Sequence, residues 1–217
     1  MHWVYYAGRY FTRTLLFLFT RWRVSGKENI PRQGPLLIVS NHLNLADPPI
    51  LGASIYRKAL FMAKEELFRS GFSSYIVRNF GAFPVRRGGL DRKALNQAKE
   101  CMAQGLALIM FPEGKRSRSA RLQSAFPGSA LVASRIGAPI LPVGITGTEN
   151  LKGKTWWLRR PRITVNIGRP FYPPSSSKLN RAELTQLTDS IMEHIAELLP
   201  SRYRGIYAGE ENKTHDN

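Results

Sequence analysis

Hydrophobic positions along the chain fall into short runs, separated by polar stretches with helical spacing. The runs at residues 35–40, 59–63 and 106–111 read as strands, and residues 163–167 alternate as a half-buried strand does. Residues 82–85 read as a brief extended segment, because Pro84 is excluded from a helix interior. The run at residues 139–145 carries Pro139 and Pro142, which predicts irregular ladder pairing or an edge position. Residues 23–34 read as a short strand and loop. Between these runs the spacing predicts a helix opening near Pro48 and another over 65–80 that Gly81 ends. A third covers 91–104, with Asp91 as candidate cap and Gly105 as stop, and a fourth covers 129–136, ending at Gly137. Leu184, Leu187, Ile191, Ile195 and Leu198 share one face of a last helix, which Asn180 and Glu183 open in capping-box spacing. His194 lies on that helix and reads as structural. Strands alternating with helices predict an α/β sheet in a single domain without repeats.

The amino-terminal stretch breaks this pattern. Its first 23 residues hold no acidic side chain and mix aromatic and aliphatic residues with Arg9, Arg13, Arg21 and Arg23. The longest uninterrupted apolar run there, Leu15-Leu16-Phe17-Leu18-Phe19, is far short of the ~20 residues that span a bilayer. No small-residue cleavage site follows, so a signal peptide is not expected. Two readings remain: a basic, aromatic helix lying in a membrane interface, or a helix docked on its own domain. The resulting organisation is a membrane-interface helix over 1–22, a domain over 23–200 and a polar tail over 201–217.

Charge sharpens the choice of partner. The 217 residues hold 32 Lys and Arg against 15 Asp and Glu, a formal net charge of +17. An excess of that size points to a polyanion, either nucleic acid or an anionic membrane surface. Residues 152–162 pack five cations and two tryptophans without an acid, a composition that suits a membrane interface or base stacking. Cys101 is the only cysteine, which excludes an intrachain disulfide and fits a reducing, cytosolic setting. The histidines are scattered without metal-ligand spacing, and the chain holds neither a P-loop nor a GxGxxG fingerprint.

Candidate chemistry sits at the ends of the runs. After residues 35–40 comes Asn41-His42-Leu43-Asn44-Leu45-Ala46-Asp47. On a regular helix a five-residue step would turn His42 and Asp47 roughly 140° apart, whereas a turn can bring them together. A carboxylate accepting one imidazole N–H leaves the other nitrogen free to take a proton. Asp47 before Pro48 equally fits a helix cap, and His42 a buried structural histidine. Lys64 stands at a strand end where a helix begins, as a phosphate contact or a solvated lysine. Arg86 and Arg87 before Gly88-Gly89 make a phosphate clamp or two solvated arginines. Pro112-Glu113-Gly114-Lys115-Arg116-Ser117 lies beyond the carboxyl end of a buried run, where open α/β sheets place ligands, and Arg118 and Arg121 add to the positive field.

Taken together, these stretches resemble the glycerolipid acyltransferases typified by 1-acylglycerol-3-phosphate acyltransferase. The likeness runs over residues 24–171 in four ordered blocks: His42 to Asp47 as His-x4-Asp, preceded by Asn41; Gly81 to Arg86; Phe111-Pro112-Glu113-Gly114; and Ala138-Pro139-Ile140-Leu141-Pro142-Val143. Each block is short, and their order and spacing carry the specificity. The resemblance implies a mixed sheet flanked by helices, with the amino-terminal helix as membrane anchor. It implies His42 and Asp47 as the catalytic pair, His42 acting as general base on a glycerol hydroxyl that attacks an acyl thioester. It further implies that Arg86, Glu113 and Gly114 bind the acceptor's glycerol-phosphate end, with Lys64, Lys115 and Arg116 adding charge. Glu113 would hold Arg86, Arg116 or a glycerol hydroxyl. The oxyanion donor is attributed in the family to backbone near the fourth block.

The implied product is phosphatidic acid, made in phospholipid biosynthesis from lysophosphatidic acid. The implied donor is acyl-CoA or acyl carrier protein as co-substrate, with no bound cofactor or metal. The implied location is the cytoplasmic face of a membrane, peripheral or monotopic. Two departures from the family's pattern bear on the acceptor: Lys115 replaces the usual threonine, and Pro127 follows Phe126 where a lysine is frequent. A lysophospholipid or aminolipid of another kind is therefore an alternative acceptor. A non-enzymatic binder of nucleic acid or anionic surfaces is the alternative of a different class.

Overall fold

The apolar runs become the strands of one mixed sheet. A computed structural model describes residues 3–69, 71–85, 92–174 and 179–208. Arg86, Arg87, Gly88, Gly89, Asp91 and the residues beyond Ala208 lie outside them, as do residues 70 and 175–178. The strands are β1 (Arg21–Ser25), β2 (Leu36–Ser40), β3 (Ala59–Lys64), β4 (Ala82–Val85), β5 (Ala107–Met110), β6 (Ile140–Thr146) and β7 (Arg162–Ile167). Their order across the sheet is β1-β7-β6-β2-β5-β3-β4. Strands β6, β2, β5, β3 and β4 run parallel, whereas β7 is antiparallel to β6 and carries β1 parallel to itself.

Both faces of the sheet are covered, which explains why β2 reads as a continuous apolar run rather than an alternating one. Helices α1 (Trp3–Phe19) and α2 (Asp47–Ser54) lie on the face to which Leu36, Ile38, Ile109 and Leu141 point. Helices α4 (Arg92–Ala103), α5 (Gly128–Ile136) and α6 (Arg181–Glu197) cover the other, over Leu37, Val39, Leu108 and Ile140. Asn180 and Glu183 form the expected reciprocal capping box on α6. His194 is held structurally: its Nδ1 donates to the Ser190 carbonyl at 2.7 Å and its ring stacks on Phe171.

Several expectations need correction. Strand β6 is buried along its whole length and is interior, not an edge. Pro142 is tolerated because the β6–β7 ladder is interrupted where its missing N–H would point. Regular pairing stops at Val143 with Ile167 and resumes at an isolated bridge from Ile140 to Phe171, while Gly168 donates to the Pro142 carbonyl at 2.9 Å. The expected irregular ladder is what forms. Pro84 does sit in an edge strand, β4. The helix expected over 65–80 divides into a 3-10 turn, Glu65–Phe68, and α3 (Gly71–Asn79), which places Gly71 at a helix start rather than in an interior it would weaken.

Both domain limits move as well. The amino-terminal helix ends at Phe19, and Arg21 and Trp22 already belong to β1, because Arg21 N–H is taken by the Pro161 carbonyl at 2.9 Å. At the other end the fold does not stop at residue 200. The 3-10 turns Ser201–Tyr203 and Gly205–Tyr207 bury Tyr203, whose carbonyl accepts Leu122 N–H at 2.8 Å.

Helix α1 is docked by a narrow stripe only. Tyr5 and Leu16 are its buried residues, and the Tyr5 hydroxyl accepts Ala59 N–H at 3.2 Å. Trp3, Tyr6, Tyr10, Phe11, Phe17 and Leu18 remain exposed on the opposite side. Among the described residues, no helix is long and apolar enough to cross a membrane.

Candidate active site

The parallel strands deliver their carboxyl ends to one edge of the sheet, which collects residues far apart in sequence. Ser40, Lys64, Val85, Met110 and Thr146 end β2, β3, β4, β5 and β6 there. The loop with His42 follows β2, and the loop with Glu113 follows its neighbour β5.

His42 Nδ1 donates to Asp47 Oδ2 at 2.8 Å, so the turn does bring the two together. The same oxygen accepts Leu43 N–H at 2.6 Å and Asn44 N–H at 2.7 Å. Asp47 is the first residue of α2, not its cap, and its side chain reaches backward into the loop. Pro48 and Pro49 explain the direction: they remove the N–H groups of the helix's first turn that would otherwise compete for the carboxylate. Asp47 is fully buried, whereas the His42 side chain keeps 14% of its surface exposed. The His42 ring stacks on Phe111, centroids 4.2 Å apart and planes 24° apart. With Nδ1 carrying its proton toward Asp47, Nε2 is unprotonated and can accept a proton from a hydroxyl.

The backbone of His42 is gripped by the loop after β5. Its N–H donates to Glu113 Oε1 at 3.1 Å, and its carbonyl accepts Ser117 N–H at 2.7 Å. Glu113 Oε2 accepts Gln123 N–H at 3.1 Å, so one fully buried carboxylate ties the two loops together. Glu113, expected to hold Arg86, Arg116 or a glycerol hydroxyl, is thus engaged by two backbone amides. Among the described residues its recorded partners are backbone amides, because a carboxylate in a dry loop junction satisfies donors that have no carbonyl within reach.

Burial pushes the Glu113 carboxyl up to about 7, opposed by the two amides and reinforced by the nearby Asp47 charge. A carboxyl raised in the fold holds its proton more tightly folded than unfolded. Its contribution to stability is therefore present below pH 4.5 and lost as pH rises to about 7. Urea unfolding over that interval should show stability falling by up to about 3 kcal/mol. Glu113→Gln should be less stable at pH 5 by about 1–3 kcal/mol, since one amide loses its acceptor, and its profile should be flatter. An unchanged slope in the variant would remove Glu113 as its source.

Gly114 carries the chain away at φ 64°, and a Cβ there would meet the Phe126 ring at 2.9 Å, so glycine is required twice over. Lys115 and Arg116 follow, both exposed. Lys64 lies at the same sheet edge, two strand spacings or roughly 10 Å from β2. It pairs with Glu66 at 2.9 Å in an exposed position, where water screens the attraction and an incoming anion can compete. Arg86 follows Val85 at this edge in sequence but falls outside the described residues.

Asn41 was noted in the sequence only as the residue before His42. Its buried amide donates to the Ile145 carbonyl and accepts Ile145 N–H, each at 2.8 Å, and so extends the β2–β6 contact past the last strand pair. Phe111 was noted only as the first residue of its block and Gln123 not at all, since stacking and backbone donation leave no compositional mark. A polar residue directly after an all-apolar strand was the available signal for Asn41.

This constellation has counterparts. Residues 21–146 match the protein family described as Acyltransferase. The 1-acyl-sn-glycerol-3-phosphate acyltransferase of Borreliella burgdorferi is 31% identical over 183 residues, covering 81% of this chain and 70% of that protein. The lyso-ornithine lipid O-acyltransferase of Pseudomonas aeruginosa is 32% identical over 181 residues, covering 76% and 67%. Among solved structures, the 1-acyl-sn-glycerophosphate (LPA) acyltransferase PlsC from Thermotoga maritima superposes with a TM-score of 0.69 at 28% identity, over 89% of this chain and 78% of that one. The matched stretch contains the His42 turn, the Glu113 loop and the Asn41 contact to β6, so the chain whose strand ends assemble this site belongs to the acyltransferase family.

Proposed function

We propose that the protein transfers an acyl group from a thioester to the free hydroxyl of 1-acyl-sn-glycerol 3-phosphate, giving phosphatidic acid. The observation that carries the mechanism is the His42–Asp47 pair, with Nδ1 engaged and the ring partly open to solvent. His42 Nε2 takes the hydroxyl proton as the glycerol oxygen bonds to the acyl carbonyl carbon. The tetrahedral intermediate then expels the thiolate, which receives that proton from the imidazolium, and the buried Asp47 carboxylate stabilises the transient charge. The group moves directly from donor to acceptor. Cys101 is buried on α4, with its thiol pushed up to about 11, and has no part in the step.

Lys64, Arg86, Lys115 and Arg116 supply positive charge for the acceptor's phosphomonoester, with Gly114 letting the loop approach. Glu113 serves as a positioning residue for His42. Acyl-CoA or acyl carrier protein acts as donor, and neither a cofactor nor a metal enters the step. The exposed aromatic side of α1 lies in the interface of an anionic membrane, as a peripheral anchor on the cytoplasmic face, so that a lysolipid reaches the site without crossing water.

The similarity to the Pseudomonas aeruginosa lyso-ornithine lipid enzyme favours one second reading, in which the same transfer acts on an aminolipid hydroxyl. The experiment is transfer from acyl-CoA and from acyl carrier protein to lysophosphatidic acid, lyso-ornithine lipid and lysophosphatidylcholine in parallel. The expected result is a kcat/KM preference for lysophosphatidic acid of roughly tenfold or more, from the additional charge-assisted bonds that a phosphomonoester's greater charge and third terminal oxygen allow. A preference for the aminolipid would establish the second reading, and transfer to none would sink both.

A further inference from the structure

A cavity of about 310 Å³ opens beside the site, walled by Thr146, Arg159, Arg162, Thr164, Arg202 and Tyr203. It begins one residue beyond Ile145, the residue that Asn41 clamps, so it lies at the same edge of the sheet as His42. Its builders come from two stretches far apart in sequence: residues 146–164, which run from the end of β6 through the turn Trp156–Arg159 to the start of β7, and the turn Ser201–Tyr203. Gly147, at φ 88°, allows the close crossing that forms the wall, since a Cβ there would strike the Arg162 carbonyl.

Three arginines line this cavity, and among the described residues no acidic one does. Arg21 pairs with Arg162 across β1 and β7, which sets a fourth cation alongside. Like charges opposite one another on neighbouring strands are unfavourable without a counter-charge. Glu149 stands behind the Tyr203 wall, where its Oε1 accepts the Tyr203 hydroxyl at 2.5 Å, and it does not itself line the cavity. Arg159 Nη2 donates to the Lys152 carbonyl at 2.8 Å and Arg202 Nη2 to the Tyr203 hydroxyl at 3.3 Å, which fixes two of these planar groups and leaves each with further N–H donors. Such forks lining a cavity with threonines suit a phosphate.

The rim says which phosphate. Trp157 stacks edge-on against Phe19 of α1 at 6.1 Å, and Arg160 donates to the Phe17 carbonyl at 3.4 Å. Exposed Trp157 and Leu158 therefore continue the apolar side of α1 directly to the mouth of the cationic cavity. Apolar surface adjoining a phosphate-sized cationic pocket fits a lipid seated in a bilayer, with tails beside α1 and headgroup among the arginines.

We infer that the Arg159–Arg162–Arg202 cavity binds the phosphate of an anionic bilayer phospholipid that is not the reacting acceptor. It forms the polar half of a docking surface whose apolar half is α1, and it turns the His42 edge of the sheet toward the membrane. The inference rests on the membrane reading given above.

The test is co-sedimentation of the full chain with phosphatidylcholine vesicles, with and without phosphatidylglycerol, for wild type and Arg159→Gln/Arg162→Gln. The double variant should bind anionic vesicles roughly 30-fold more weakly, while a charge-matched Arg135→Gln/Arg181→Gln control stays near wild type. Its transfer to detergent-dispersed lysophosphatidic acid should be unchanged. Equal weakening in the control would overturn the site in favour of general charge. A raised KM for acyl-CoA in detergent with unchanged vesicle binding would assign the cavity to the donor's phosphates instead. Wild-type binding matched by the variant would refute this inference alone, whereas no binding by wild type would refute the membrane reading beneath it.

Discussion

His42→Ala will lower kcat for acyl transfer by about 10²- to 10⁴-fold, the range that a positioned general base contributes. The fold should survive, because the His42 side chain is partly exposed and its backbone is held independently by Glu113 and Ser117. The KM for the acceptor should change little, since the proposed mechanism assigns the phosphate to other residues. Asp47→Asn is a more informative partner variant. An amide can keep accepting the Leu43 and Asn44 N–H groups through its oxygen, but it cannot stabilise an imidazolium as a carboxylate does. Most of its loss should therefore appear in kcat, with only a modest change in unfolding midpoint. The measurement is steady-state transfer together with thermal unfolding of each variant. Wild-type turnover by purified His42→Ala would end the proposed mechanism whatever the acceptor.

Asn41→Ala will destabilise the protein by about 2–5 kcal/mol, although it removes no apolar surface of consequence. The amide joins Ile145 N–H and C=O in a cyclic pair, and both Asn41 and Ile145 are buried. Alanine would leave a donor and an acceptor unsatisfied without room for water, each costing about 1–3 kcal/mol. For a chain of this length the melting temperature should fall by roughly 5–20 °C. Asn41→Asp should share most of that loss, because a carboxylate cannot donate to the Ile145 carbonyl. Activity should fall as well, since this bond fixes where His42 leaves β2. A variant that melts like wild type would show that the β2–β6 ladder positions the turn without the amide.

The chain's own sequence determined more of this protein than its low similarity to relatives suggests. Apolar runs marked β2, β3 and β5 and an alternating run marked β7, and Gly105 and Gly137 stopped α4 and α5 where expected. These features are legible because they depend on residues within one turn or one strand of each other. The membership of His42 and Asp47 in one turn was readable for the same reason, as was the placing of the Glu113 loop beyond a strand.

What only the tertiary structure decided are the partners, because sheet order joins segments that sequence distance separates. Pro142 looked like an edge signal until Gly168 and Phe171 were seen to interrupt the ladder at its missing donor. Glu113 was read as holding a cation or a glycerol hydroxyl, and only the fold shows that it also clamps the backbone of His42 and Gln123. Tyr203 stood in a segment read as tail, and its burial depends on Leu122. The cationic cavity is the extreme case. Arg159, Arg162 and Arg202 are unremarkable members of a basic chain, and they come together only where the turn Trp156–Arg159, the start of β7 and the turn Ser201–Tyr203 meet. Local patterning specifies elements and turns, whereas convergence of charge is a property of how those elements are stacked.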